Sequence, residues 1–174
     1  MCTKEEKKYL FQLFSLSFIL FFIDRITKYY AVYVYRVYDI SDYIINSFLS
    51  FSLAFNRGMS FSLGHSQNQG TFILVIGITI SLTLYVMYYT YNRFEYGYPI
   101  LGELLVITGS LSNIIDRFLY PGVVDFIELS YGSWFFWPAF NCADAYIVIG
   151  VGVMLITMNR EARKKSQEIA IEDQ

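Results

Sequence analysis

Residues 70–91 read GTFILVIGITISLTLYVMYYTY, a run of 22 residues without one charged side chain. A helix rises ~1.5 Å per residue, so such a run reaches ~33 Å, enough to cross a hydrocarbon core of ~30 Å. Three further stretches behave alike. The spacing predicts transmembrane helices over about 9–30, 70–91, 99–119 and 139–158, a four-helix integral membrane protein with a single membrane domain over 1–174. Composition agrees. Of 174 residues, 55% are hydrophobic and only 16% charged, against ~25% charged in an ordinary soluble domain. One soluble core of this size could not hide so much apolar surface. With a formal net charge of -2, nucleic acid is not an expected partner.

Orientation follows from the basic residues. Lys4, Lys7 and Lys8 precede the first span, Arg93 lies between the second and third, and Arg160, Arg163, Lys164 and Lys165 follow the fourth. Four crossings put all of them on one side, so both termini are expected in the cytoplasm. The apolar run from about Tyr9 is longer than a signal-peptide core and is followed by no small-residue cleavage site, so it reads as a retained helix. The extracytoplasmic side then holds two connections, about 31–69 and 120–138, and the cytoplasmic side a tail over 159–174 that is expected to start helical and fray.

The outer connections carry strand patterns. Val32-Tyr33-Val34-Tyr35-Arg36-Val37 is β-branched and aromatic. Phe48 to Phe55 alternates large and small residues, Asn56-Arg57-Gly58 reads as a turn, and Met59 to Leu63 resumes the alternation. Ser133-Trp134-Phe135-Phe136-Trp137 offers a further strand. A small β-sheet on the outer membrane surface is expected, with its aromatic residues at the headgroups. Cys2 and Cys142 give neither a disulfide framework nor a zinc spacing, and His65 is the only histidine. No metal or other cofactor is expected.

Ionisable groups at a membrane helix are costly unless paired or wet. Helical spacing collects those at the outer end. Asp24 and Lys28 are four apart; Asn113, Asp116 and Arg117 stand at i, i+3 and i+4; Asn141 and Asp144 are three apart. Asp125 follows the third span, and Asp144 opens the fourth 19 residues later, so an outer loop can return one carboxyl to the other. Two such carboxyls in apolar surroundings share a proton and titrate as a pair. The ionised member can activate water while the protonated one polarises a carbonyl, which is amide hydrolysis without Ser, Cys or metal. Taken singly the groups have plainer readings. Asp24–Lys28 is a helix-end ion pair, Asp116–Arg117 an interfacial anchor, Asp125 a solvated loop residue, and Asn113 and Asn141 helix-to-helix glue. Glu103, near the cytoplasmic end, is expected to snorkel.

Five motifs in order give the sequence its resemblance. They are Asp24-Arg25-Ile26-Thr27-Lys28; Asn56-Arg57-Gly58 with Phe61; Asn113-Ile114-Ile115-Asp116-Arg117; Val123-Val124-Asp125-Phe126; and Phe140-Asn141-Cys142-Ala143-Asp144. From about residue 20 to 150 the chain resembles the lipoprotein signal peptidases (signal peptidase II), bacterial inner-membrane aspartic peptidases. One departure concerns the third span, where the family's Gly-Gly-Ala-x-Gly-Asn is replaced by Thr108-Gly109-Ser110-Leu111-Ser112-Asn113. The resemblance implies that Asp125 and Asp144 are a catalytic dyad. The implied substrate is a prolipoprotein, cut just before its diacylglyceryl-modified cysteine to release the signal peptide. Asn56, Gly58, Asn113, Arg117, Asn141 and Ala143 are then expected to bind substrate or orient the carboxyls, with Asp24, Lys28 and Asp116 supporting the site. A monomer in the inner membrane, with its site at the extracytoplasmic face, is expected. A carrier with a carboxyl relay would spread its charges through the membrane depth, whereas these cluster at one end. A non-catalytic assembly factor would lose assembly, not cleavage, on Asp125→Asn or Asp144→Asn.

Overall fold

A computed structural model describes residues 3–39, 42–58, 69–132 and 134–172. Helix α1 (Lys4–Tyr38) opens on a capping box: Glu6 N donates to Thr3 Oγ1 at 3.2 Å, and Thr3 N donates to Glu6 Oε2 at 2.7 Å. It ends at Asp39 in the left-handed region, with φ 50°. The stretch from Val32 to Val37, expected as a strand, instead continues this helix, and Val32 is buried. Extending a formed helix adds one backbone bond for each residue ordered, whereas a strand here would need a partner edge; context outweighs β-propensity.

Helix α2 spans Gln69–Glu95, α3 Leu101–Leu119 and α4 Cys142–Glu172. Among the described residues, α1, α2 and α4 are long and apolar enough to cross a membrane by length and composition. Helix α3 has 19 residues and packs against all three of the others. Small residues let it approach α4: a Cβ on Gly102 would lie 2.7 Å from the Gly150 carbonyl oxygen, and one on Gly109 would run into the Ala143 carbonyl. Pro99 lies outside α3, before the N-cap Ile100, and its carbonyl accepts from Arg93 Nη2 at 3.2 Å. The tail begins helical as expected, and α4 runs on to Glu172 through Glu, Ala, Arg and Lys, which are strong helix formers.

Four antiparallel strands form one sheet in the order β1 (Asp42–Ile44), β2 (Leu49–Asn56), β3 (Val123–Tyr131) and β4 (Phe135–Phe140). The expected small sheet is therefore present, built from both connections. The alternation in β2 anticipated it. Strand β3 gave no such signal because Val123 to Phe126 are buried on both faces, against the sheet and the helices. Strand β4 starts at Phe135 and runs through Phe140, so the fourth helix begins at Cys142 rather than at 139. The strand expected over 59–63, with Phe61, lies outside the described residues, as do Cys2, His65 and Ser133.

Candidate active site

The sequence-predicted polar residues meet beside β3, where the C-terminal half of α1 and the C-terminal end of α3 approach the N-terminal end of α4. On α1 the buried positions Asp24, Lys28 and Val32 recur every four residues and face inward. The Lys28 ammonium is fully buried and has three acceptors for its three protons: Asp24 Oδ2 at 2.9 Å, Asp116 Oδ2 at 2.8 Å and Asn113 Oδ1 at 2.7 Å. Asp116 is also paired with the Arg25 guanidinium.

These two buried aspartates hold the backbone beside the two candidate catalytic ones. Asp24 Oδ1 accepts from Ala143 N at 2.8 Å, one residue before Asp144. Asp116 Oδ2 accepts from Val124 N at 3.1 Å, one residue before Asp125. Such charge-assisted bonds to the main chain fix α4 and β3 relative to α1 and α3.

Asn141 joins the two carboxyls. Its Nδ2 donates to Asp125 Oδ1 at 2.7 Å, and its backbone N donates to Asp144 Oδ2 at 3.1 Å. Asp144 N in turn donates to Asn141 Oδ1 at 3.0 Å, which makes the pair a capping box for α4. Asn113 donates through Nδ2 to Asp144 Oδ1 at 2.8 Å. On the other side Asn56, at the end of β2, hydrogen-bonds Asp125, and its own Oδ1 accepts from Gly58 N at 2.8 Å. Gly58 has φ +92°, a conformation that glycine tolerates and other residues resist.

Asp125 is 1% exposed. Burial, and after it the charge of Asp144, pushes its carboxyl from an ordinary 3.8 up to about 7, against the pull of Asn56, Asn141 and Lys28. A carboxyl in that range can hold a proton at neutral pH and give it up during a reaction. The half-buried Arg117 donates to the Asn113 carbonyl at 3.3 Å, and its charge is felt by Asp144, Asp125 and Asp116. Its Nε is buried without a hydrogen-bond partner among the described residues.

Several plainer readings change. Asp125 lies on a strand, not in a solvated loop. Asp116 bonds Lys28 and Arg25 rather than anchoring an interface with Arg117. Glu103 does not snorkel: it is fully buried, 2.6 Å from Arg93 Nε, and Arg93 also grips Glu161 at 2.7 and 2.9 Å. Buried charge is tolerated there because it is paired.

Two participants were not foreseen. Arg25 could have been found as the second cation that two buried acids require. Ser112, at the position of the family glycine, donates from Oγ to Asp24 Oδ2 at 2.6 Å. The extra bulk thus contributes a hydrogen bond rather than merely taking up space.

The family described as signal peptidase (SPase) II matches residues 16–160. A lipoprotein signal peptidase of Clostridium novyi (strain NT) is 33% identical over 143 residues, covering 81% of this chain and 93% of that protein. A lipoprotein signal peptidase of Thermodesulfovibrio yellowstonii is 36% identical over 136 residues, covering 77% and 85%. Among solved structures, a bacterial membrane enzyme shares the fold with a TM-score of 0.65 at 22% identity, over 88% of this chain and 91% of that one.

Proposed function

The chain belongs to the signal peptidase II family, and from that premise we propose that it is an aspartic endopeptidase that frees prolipoproteins of their signal peptides. It cuts before a diacylglyceryl-modified cysteine. Asp125 and Asp144 are the catalytic dyad, one protonated and one ionised. The observation that carries this reading is Asn141, a single residue bonded to both carboxyls. Water loses a proton to the ionised carboxylate as its oxygen attacks the scissile carbonyl, and the protonated partner gives its proton to the carbonyl oxygen. Arg117, Asn56 and Asn113 line the approach and hold peptide carbonyls or orient the pair. Asp24, Lys28, Asp116 and Ala143 support the site through the main-chain bonds described above, and Gly58 does so through Asn56.

On this reading α3 is the fourth span, tolerated despite Glu103, Asp116 and Arg117 because α1, α2 and α4 surround it. Both termini then lie in the cytoplasm and the dyad at the opposite face of a bacterial inner membrane, a reading that the distribution of basic residues supports. Exposed Trp134, Phe136 and Trp137 then sit at the headgroups. An apolar cavity of about 690 Å³ between α1 and the sheet, lined by residues including Ile26, Tyr30, Val34, Leu53 and Phe126, suits an acyl chain of the substrate. Phe126 adjoins Asp125, so a chain seated there keeps the modified cysteine beside the dyad. The enzyme works as a monomer, without a metal.

Cleavage of a diacylglyceryl-modified prolipoprotein peptide in detergent tests this. Wild type is expected to cut, while folded Asp125→Asn and Asp144→Asn are expected to lose at least about a thousandfold in turnover, on the order of a lost acid–base group. Near-normal turnover by either variant would sink the aspartyl mechanism.

A further inference from the structure

Among the site's donor-only nitrogens are the Lys28 ammonium and the Asp144 backbone N–H. Together they dictate how both amides point. The Asn113 atom 2.7 Å from Lys28 Nζ must be oxygen, which turns Nδ2 onto Asp144 Oδ1. The Asn141 atom 3.0 Å from Asp144 N must also be oxygen, which turns its Nδ2 onto Asp125 Oδ1. The two amides agree with each other, since that same Nδ2 meets Asn113 Oδ1 at 3.2 Å. Neither can flip without setting oxygen against oxygen or N–H against a cation.

The consequence is unequal for the two carboxyls. Asp144 meets an N–H on each oxygen, one from a main chain that cannot rotate away and one from an amide that Lys28 holds in place. It also stands in the first turn of α4, where the helix end favours negative charge. Asp125 also accepts from two amides, Asn141 and Asn56, but neither donor is main chain; it lies on a strand with no helix end, and it is the more deeply buried of the two. The other charged or titratable groups around the pair are Asp24, Arg25 and Lys28 from α1, Asp116 and Arg117 from α3, and Cys142 from α4.

Building on the dyad reading, we propose that Lys28, acting through Asn113, is a positioning residue that keeps Asp144 as the ionised, water-activating carboxylate and leaves the shared proton on Asp125. The reaction then balances. Asp144 takes a proton from water as the C–O bond forms, and Asp125 gives its proton to the carbonyl oxygen. When the C–N bond breaks, Asp144 passes its proton to the leaving nitrogen and Asp125 recovers one from the diol.

A pH titration of the aspartate ¹³Cγ signals in detergent tests this without substrate, so its failure is separate from any failure to cleave. Signals are assigned with Asp125→Asn and Asp144→Asn. In wild type the pair is expected to titrate in two steps, with Asp125 the protonated partner between them. Lys28→Met combined with Asp24→Asn removes the cation together with one anion and leaves Asp116 paired with Arg25, so the fold keeps its charge balance. That double variant is expected to raise the lower step by about one pH unit or more. In an Asn113→Ala background the same change is expected to add only a few tenths, because the relay is already gone. The proposal is overturned if Asp144 carries the proton between the steps. It is equally overturned if removing Lys28 shifts the lower step by the same amount with and without Asn113.

Discussion

Replacing Asp125 by Asn should stabilise this protein, and the gain should depend on pH. The buried carboxyl titrates at about 7 in the fold instead of an ordinary 3.8. Between those values the folded chain holds a proton that the unfolded chain has released, so wild-type stability falls as pH rises through this window. At ~1.36 kcal/mol for each pH unit, the full loss is about 4 kcal/mol, present above pH ~7 and absent below pH ~4. Asparagine never ionises and escapes it. The exchange has a pH-independent cost, since Asp125 accepts from both Asn56 and Asn141 and the amide offers one oxygen where the carboxyl had two. Losing one such bond costs ~1 kcal/mol. The variant should therefore match wild type or fall slightly below it near pH 4 and exceed it by about 3 kcal/mol at pH 8. For a chain of this length the pH-dependent part corresponds to a gap in Tm that widens by roughly 8–16 °C. Scanning fluorimetry of both proteins in one detergent across that range reads the gap directly. Every carboxyl outside the pair titrates alike in the two proteins and cancels. A gap that stays constant with pH, or one that narrows as pH rises, would refute the reasoning. Such a trade is the one expected if Asp125 is the reacting group proposed above, since groups suited to reaction are often not those that fold best.

Three further perturbations follow from the geometry. Ser112→Gly restores the family residue yet should lower stability by about 1.5–3 kcal/mol, because it removes a hydrogen bond to the buried Asp24 carboxylate; denaturation in mixed micelles checks this, and an unchanged midpoint would contradict it. Arg93→Met strips Glu103 and Glu161 of their common partner and should cost about 3–5 kcal/mol, while cleavage measured well below the lowered Tm stays near wild type, since this cluster lies at the other end of the bundle from the dyad. Gly58→Ala sets a side chain at φ +92° and 2.6 Å from the branched Val75; strain of about 1–3 kcal/mol should appear in the Tm, together with a drop in kcat as Asn56 loses its anchor.

The parts of the fold that could be read from the chain are those governed by local periodicity. Residues 70–91 could cross a membrane and do little else, and α2 runs from Gln69 to Glu95. The large–small alternation from Phe48 to Phe55 marked β2, which spans Leu49–Asn56. What could not be read was decided by tertiary partners. Val32 to Val37 have strand propensity but follow an already formed helix. Val123 to Phe126 carry no alternation because both their faces are buried. Glu103 looked like a group that would reach for water, until Arg93 and Glu161 arrived from other helices. The candidate site was legible to the same degree: helical spacing brought Asp24 to Lys28 and Asn141 to Asp144, whereas Ser112 and Arg25 could be placed only once α1 and α3 were side by side.

Under the proposed mechanism, that last pairing explains why Asp125 and Asp144 would hold one proton between them. Around it, Asp24, Asp116 and Asp144 bring three negative charges, and Arg25, Lys28 and Arg117 bring three positive ones. The set is neutral when Asp125 is protonated and carries an excess anion when it is not. In a buried, water-poor pocket an unmatched charge costs several kcal/mol. Cation supply therefore controls the proton. Had Arg25 been an uncharged residue, the excess anion would already be present with Asp125 protonated, and the pressure would be to protonate Asp144 as well, which would leave no base. A further cation within hydrogen-bond reach would let both carboxyls ionise, which would leave no acid. Under the proposed mechanism, the buried ion pairs beneath the two carboxyls thus do more than hold α1 to α3: their charge count favours one shared proton, the state in which a carboxylate and a carboxylic acid would face the same amide.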